Sequence, residues 1–501
     1  MSILNPIYLF KRASQANLPD SADVVILGSG LGSLSAAVVL AKQGKRVVVL
    51  EQNYLPGGCV SSYFRHGVIF ETGATTLVGL DEGMPLWEVI RQTGISIEAQ
   101  RLDLPMQVVL KDGTIVRRFN DPELWIAEAE RVFGVQGQRA FWETCIRLST
   151  QVWDISTRQL SFPPASLTDI LGCIKSARMK DLSALPYAFK TIQDLLFENG
   201  LDSNETFVAF VNEQLMITAQ NTSQEVNALF GAASLCYTLV GNYYVPGGMI
   251  RLIAPFVEFI EQNRGDVLLK TPVSSIKRVA NQWEIHTGKG IIRSRAVISG
   301  LPVNNLVELV QDEKSIRKLQ RKLMPIKSLN GAIQVSFVYR QRKEVSCLHQ
   351  QIHLSESFEF EGSGSIFISK SDVGDRLRSE LGEGILSVSM HYRLGQKSNL
   401  DMERVKLVIQ SILIREGYFE EDDIIRISAS TPASWEDWTM RKGGFVGGYP
   451  QRKNIKPWQM IQARVGSGLY VCGDSVYPGQ GIPGVALSGL IAAKKLVQDG
   501  Y

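Results

Sequence analysis

The chain has 501 residues, 45% of them apolar and 21% charged, an ordinary globular balance that excludes global disorder and leaves room for about three domains of ~150 residues. Fifty-three basic against 50 acidic residues leave a net charge of +3, without the clustered excess expected of a nucleic-acid-binding surface. Six scattered cysteines (Cys59, Cys145, Cys173, Cys236, Cys347 and Cys472) offer no zinc-ribbon or dithiol spacing, whereas 44 glycines fall in clusters.

The opening segment lacks the charge-then-apolar order and the cleavage site of a secretory signal. No window reaches the ~20 continuous apolar residues of a membrane span. The expectation is a cytoplasmic protein, not secreted, with attachment to the inner face of a membrane left open. Asp23–Leu27 (DVVIL) reads as a buried strand, GSGLGS at 28–33 as the turn after it, Leu34–Gln43 as a helix closed by Gly44, and Arg46–Leu50 (RVVVL) as a second strand. That order makes a βαβ unit of a parallel sheet. Gly28 permits the tight turn, and Gly30 lets backbone N–H groups approach a pyrophosphate at the positive end of the helix. Glu51 ends the second strand, where a carboxylate accepts ribose hydroxyls and repels a 2′-phosphate. Ser33 replaces the third glycine of the fingerprint but is small enough for close helix–strand packing. Gly57-Gly58 offers a second close backbone approach.

Residues 120–240 read as mostly helical, broken at Pro163-Pro164 and Pro186, with an apolar helix at 207–217 interrupted by Asn212, Glu213 and Gln214. A helix over 251–262 leads through Val267–Leu269 to short strands in TPVSSIKRV, WEIHT and AVISG. Ala332–Tyr339, Ser365–Ile368, Ile385–Tyr392 and Ile424–Ile427 are further strands. Leu469–Cys472 is a strand followed by GDSVYPGQGIPG and a helix over Val485–Val497. Gly473-Asp474 suits a ribityl-pyrophosphate met from the opposite side, and the positive end of the helix opened by Gly481–Val485 suits a reduced flavin ring. Three glycine clusters in this order favour FAD over NAD. Gly362-Ser363-Gly364 and Gly466-Ser467-Gly468 lack a following helix and acid and read as turns. The expected fold is α/β: a discontinuous Rossmann-like FAD-binding domain (21–115, 241–310 and 431–501) with an inserted α+β substrate domain (116–240 and 311–430). The insert contains a mixed sheet and a helical part able to face a membrane.

GSGLGSLSAAVVLAKQGKRVVVLEQNYLPGGCVSSYFRHGVIFETGATT resembles the N-terminus of the phytoene desaturase and carotenoid cis–trans isomerase family of FAD-dependent oxidoreductases. YYVPGGM (243–249), TPASWEDWTMRKGGFVGGYPQ (431–451) and GDSVYPGQGIPGVALSG (473–489) resemble its later motifs in the same order. Glu51-Gln52 followed by Gly57-Gly58-Cys59 is closest in style to carotenoid 3′,4′-desaturases, carotenoid isomerases and retinol saturases. The resemblance implies FAD contacts at Gly28, Gly30, Gly32, Ser33, Glu51, Gln52, Gly57, Gly58, Val273, Gly473, Asp474, Gly484 and Val485. Glu71 stands where an aspartate is usual and is assigned no role. Cys59 reads as a small buried filler.

The implied substrate is a long apolar polyene or isoprenoid, a carotenoid, held in an apolar tunnel while the flavin does the redox work. Desaturation passes a hydride to flavin N5 and needs a base, for which Glu213 and His391 are candidates, and a final acceptor such as a quinone or oxygen. Flavin-mediated isomerisation needs no net oxidation. A saturase of the same family, an amine-oxidase-type flavoenzyme and a flavin-bearing membrane adaptor are the alternatives. His66, His286, His349 and His353 have no metal-ligand spacing, so no metal is expected. Two segments could meet a membrane: a basic face at Lys314, Arg317, Lys318, Arg321 and Lys322 with Ile316, Leu319, Leu323 and Met324, and Leu167–Phe197 with Lys175, Arg178, Lys180 and Lys190.

Overall fold

Val24–Leu27 and Val47–Leu50 are almost wholly buried, as runs of apolar residues must be where helices cover both faces of a parallel sheet. In the computed structural model, which describes residues 5–342, 347–355, 358, 362–396, 400–453 and 455–501, Ser21–Leu27 pairs in parallel with Val47–Leu50, Val24 opposite Val47 and Leu27 opposite Leu50. Asp266–Leu268 extends the sheet beyond Val47–Leu50. On the other side of Ser21–Leu27 lies the parallel strand Gly290–Ser299, which folds back antiparallel to Gln282–Thr287 and then Val273–Val279. Leu469–Val471 joins Gly290–Ser299 in parallel. Segments far apart in sequence thus make one nucleotide-binding sheet.

The helices Leu31–Lys42 and Ile482–Gln498 pack on this sheet and on each other. Each is apolar around most of its circumference because it is covered on most sides. Both begin three residues earlier than the sequence pattern suggests, because the N-caps are Gly30 and Gly481 and Pro483 occupies the first turn of the second helix, where a missing N–H costs nothing. Their contact depends on small residues: a Cβ on Gly489 would lie 2.3 Å from the Gly32 carbonyl oxygen.

A second sheet has seven strands in the order Ile424–Ser430, Asn330–Arg340, Glu383–Arg393, Ser365–Lys370, His349–His353, Met106–Val109 and Ile115–Arg118. The last three lie outside the sequence-based expectation, being short and rich in Gln, His and Arg. The boundary expected at 115 falls inside the Met106–Arg118 hairpin, which pairs with the second sheet through Val108 and Gln351. One face of this sheet (Ile333, Val335, Phe337, Ile368, Leu386 and Val388) packs on the helix Met402–Arg415. The opposite face is polar, following the period of two.

Helices between 122 and 235 enclose a separate core around Trp125, Trp142, Phe207 and Phe210. Pro186 does not break the chain as expected; it sits inside a 3₁₀ segment, Met179–Phe189. The basic helix ends at Gln320, with Arg321 as its C-cap. Its apolar side is already used, Ile316 and Leu319 being buried against the first sheet, while the Lys322 ammonium donates to the Met460 carbonyl. The apolar side of that helix is therefore turned to the protein core, with Leu323 and Met324 beyond it partly buried. No described helix is long and apolar enough to cross one.

Candidate active site

At the carboxyl ends of the parallel strands, where such sheets place their ligands, a cleft of about 280 Å³ opens. Gly28, Gly30, Gly32, Ser33, Glu51, Gln52, Gly57, Gly58, Val273, Gly473, Asp474 and Val485 all line it. Gly484 lines the adjoining cavity instead. Gly28 turns the chain at φ +80°. A Cβ on Gly30 would meet nothing within 4 Å, so the backbone at the start of the helix faces open space. Ser33 is accommodated by a second glycine: a Cβ on Gly300 would fall 1.9 Å from Ser33 Oγ. Both oxygens of Glu51 accept hydrogen bonds, from the Ser29 N–H and hydroxyl at 2.9 and 2.5 Å and from the Asn53 N–H at 2.8 Å. The Gln52 side chain donates to the carbonyl of Thr439, another residue of the cleft lining, at 3.0 Å.

Arg441, which sequence reasoning missed, is buried beside this cleft. It donates to both Asp474 oxygens at 2.8–3.0 Å and to Cys59 Sγ at 3.1 Å. The Asp474 carboxylate is therefore already paired, which leaves its backbone for a cofactor. Burial pushes the Cys59 thiol up more than the neighbouring guanidinium pulls it down, so Cys59 stays a thiol and not a nucleophilic thiolate. The only sequence signal for Arg441 is that it lies inside the motif at 431–451. Arg441 Nε is buried without a partner, an orphaned donor at the wall of the cleft. With the open space over Gly30 and the helix N-terminus behind it, this fits a long anionic dinucleotide. Glu71 acts elsewhere: it accepts from the Ser62 hydroxyl and the Met249 N–H and pairs with the buried Arg378.

A second cavity, about 460 Å³, adjoins the first; Cys59, Val60, Asp474 and Val485 line both. Val152, Trp153, Ile217, Phe230 and Val240 form an apolar wall. The opposite wall is the polar face of the second sheet: Gln334, Gln351, Ser365, Ser369, Ser387, Ser389, His391 and Ser430. The expected tunnel is therefore apolar on one side only. Trp435 Nε1 and Gln480 Nε2 are buried donors without partners, on residues that line the same cavity. Asp474, paired with Arg441, is the one charged residue in its described lining.

The two proposed bases part company here. His391 lines the cavity, and burial pushes its pKa down to about 4 despite the opposing charge of Glu213. Glu213 stands behind the wall, accepting from the Ser363 hydroxyl, the Gly364 N–H and the Ser365 hydroxyl. Ser365 belongs to a buried chain. Arg118, stacked on Trp125, donates to Gln214 Oε1 at 2.7 Å, Gln214 Nε2 to Gln351 Oε1 at 2.5 Å, Gln351 Nε2 to Ser365 Oγ at 2.7 Å, and Ser365 to Glu213 at 2.6 Å.

The profile of the family described as flavin containing amine oxidoreductase matches residues 34–497. Prolycopene isomerase 2, chloroplastic, from an Oncidium hybrid cultivar is 23% identical over 97% of this chain and 86% of its own length. The all-trans-retinol 13,14-reductase of Danio rerio is 25% identical over 62% of this chain and 52% of its own. Among solved structures, the cyclohexylamine oxidase of Brevibacterium oxydans superimposes with a TM-score of 0.60 at 14% identity, covering 96% of this chain and 99% of that one; this is a likeness of fold.

Proposed function

We propose a substrate and a reaction from one premise: the chain belongs to the flavin-containing amine oxidoreductase family and is an FAD-dependent oxidoreductase. The reading is an enzyme of long, neutral polyenes of the carotenoid or retinoid kind, acting by desaturation or by cis–trans isomerisation. The observation that carries it is the cavity next to the cofactor cleft, large and, among its described lining residues, without an unpaired charge. An ammonium ion buried there would lack a counter-charge, and burying an unpaired charge is costly. The relatives named for prolycopene and retinol point the same way.

Bound FAD supplies a two-electron hydride acceptor and donor. The apolar wall of Trp153, Phe230 and Val240 positions the chain of the substrate and excludes water. His391, neutral at pH 7, accepts the proton released from the carbon next to the one that gives up hydride. Glu213 is a positioning residue: its charge favours the protonated imidazole, and it fixes Ser363 and Ser365 in the wall. Two buried donors of the cavity lining, Trp435 Nε1 and Gln480 Nε2, have no partners and call for acceptors, which favours substrates with an oxygen function over pure hydrocarbons. Desaturation would require a further acceptor such as a quinone or oxygen; isomerisation would not.

Expression in hosts that accumulate different carotenoids, followed by pigment analysis, tests the reading. A mass lower by two hydrogens marks desaturation, an unchanged mass with a new isomer marks isomerisation, and added hydrogens mark saturation. Peroxide produced from amines, with pigments unchanged, overturns it.

A further inference from the structure

The helix Leu167–Ser176 is built inside out. A surface helix ordinarily turns its apolar stripe to the core and its charges to water. Here Leu167, Ile170, Leu171 and Ile174, spaced i, i+3, i+4 and i+7 on one face, are 79%, 46%, 65% and 67% exposed. The inward residue is an acid: Asp169 is buried, accepts from the Ala165 N–H, and pairs with Arg464 at 2.8 Å and Lys495 at 3.4 Å. The helix is thus anchored by charge and presents hydrocarbon outward.

The next segment repeats the arrangement. In Met179–Phe189, Met179 and Phe189 are 83% and 77% exposed, and Leu182 and Leu185 more than half exposed. Contiguous exposed apolar surface of this extent marks an interaction site. Lys175, Arg178, Lys180 and Lys190 fringe it; Arg178 and Lys180 share the single carboxylate of Asp154, and Lys190 pairs with Glu198, while Asp181 accepts from Arg158 and Asp194 from the Thr191 N–H.

We infer that this face docks on a lipid bilayer, with the apolar side chains in the headgroup–acyl boundary and the basic fringe among anionic headgroups. A second copy of the chain fits less well, since a two-fold contact would set the basic fringe against itself. Position favours the bilayer as well. The helix Gln138–Arg158 carries Val152, Trp153 and Ser156 into the substrate cavity, and its Asp154 and Arg158 pair with Lys180 and Asp181 of the docking face. One helix therefore separates the bilayer from the cavity. The argument rests on the exposed face and not on the substrate reading, and its test uses no substrate.

The experiment is co-sedimentation of the FAD-loaded protein with vesicles of phosphatidylcholine alone and of phosphatidylcholine with phosphatidylglycerol. The wild type should bind both, and the anionic vesicles more tightly at low salt. Leu171→Glu with Ile174→Glu should weaken binding by at least about ten-fold, while Leu124→Glu, on an exposed leucine of another helix, should not. Retained flavin absorbance and circular dichroism show that the variants fold. Should the double variant not fold, hydrogen exchange on wild type decides, with slowed exchange over 167–197 expected on vesicles. Absence of binding, equal binding by the double variant, unchanged exchange over 167–197, or a wild-type dimer that the double substitution splits would overturn the proposal.

Discussion

Two glycines two residues apart should separate binding from folding. At Gly30 the backbone is extended, φ −59° and ψ 159°, and a Cβ meets no atom within 4 Å. Gly30→Ala therefore costs the apo-protein nothing and, by restricting the unfolded chain, stabilises it by about 0.4–1 kcal/mol. The new methyl enters the open space at the helix N-terminus, where a bound pyrophosphate would lie, and overpacking by one methyl costs about 1–3 kcal/mol. That corresponds to a roughly 5- to 150-fold rise in the Kd for FAD. Gly32 is the reverse case. Its Cβ would lie 3.0 Å from Val485 O and 3.1 Å from Gly473 N, backbone atoms that cannot swing aside, so Gly32→Val should lower stability by about 1–3 kcal/mol. Urea unfolding of the apo-proteins and fluorescence titration with FAD measure both quantities. A Gly30→Ala protein with wild-type FAD affinity, or with a reduced unfolding midpoint, would refute the reasoning.

The Arg441–Asp474 pair should be costly to break from either side. Arg441→Met leaves the half-buried Asp474 carboxylate without its cation, with only the Ser475 hydroxyl beside it, and should destabilise by about 3 kcal/mol, the lower end of the range for a buried pair, with the double change Arg441→Met/Asp474→Leu recovering part of that loss in thermal denaturation; strict additivity would count against it. Acid should act through His391. Its folded pKa of about 4 lies below the ordinary 6.5, so its contribution to stability is full above pH 6.5 and is lost as pH falls toward 4. The loss is roughly 2–3 kcal/mol. His391→Gln should lose less stability than wild type between those pH values, and parallel unfolding curves would show the histidine to be uninvolved.

The cofactor cleft was readable because backbone builds it: a strand, a glycine turn and a helix N-terminus are local patterns, and their spacing survives in one sequence. The adjoining cavity was much less readable. Ser387, Ser389 and His391 look like the wet side of an ordinary strand, and only pairing Gln334 with Ser389 and Phe367 with Ser389 turns that side toward a buried space. Glu213 was singled out as a polar interruption of an apolar helix, but whether such a residue faces a cavity or backs its wall depends on tertiary pairing with Ser363 and Ser365. Arg441 had no local signal, because its partners lie 33 and 382 residues away. The outward-facing apolar stripe at 167–174 has the same periodicity as a buried one, and periodicity alone does not say which way a stripe points.

The chain from Arg118 to Glu213 has a direction. A guanidinium has five donors and no acceptor, so each amide and hydroxyl after it is forced to receive from one side and give to the other. A proton relay needs every link to reverse after each passage, and this sequence cannot reverse without turning the Gln214 amide NH₂ toward a cation. The polar thread through the protein interior thus acts as a stop. A proton taken up in the adjoining cavity therefore does not leave along this thread toward Arg118 and the helical core.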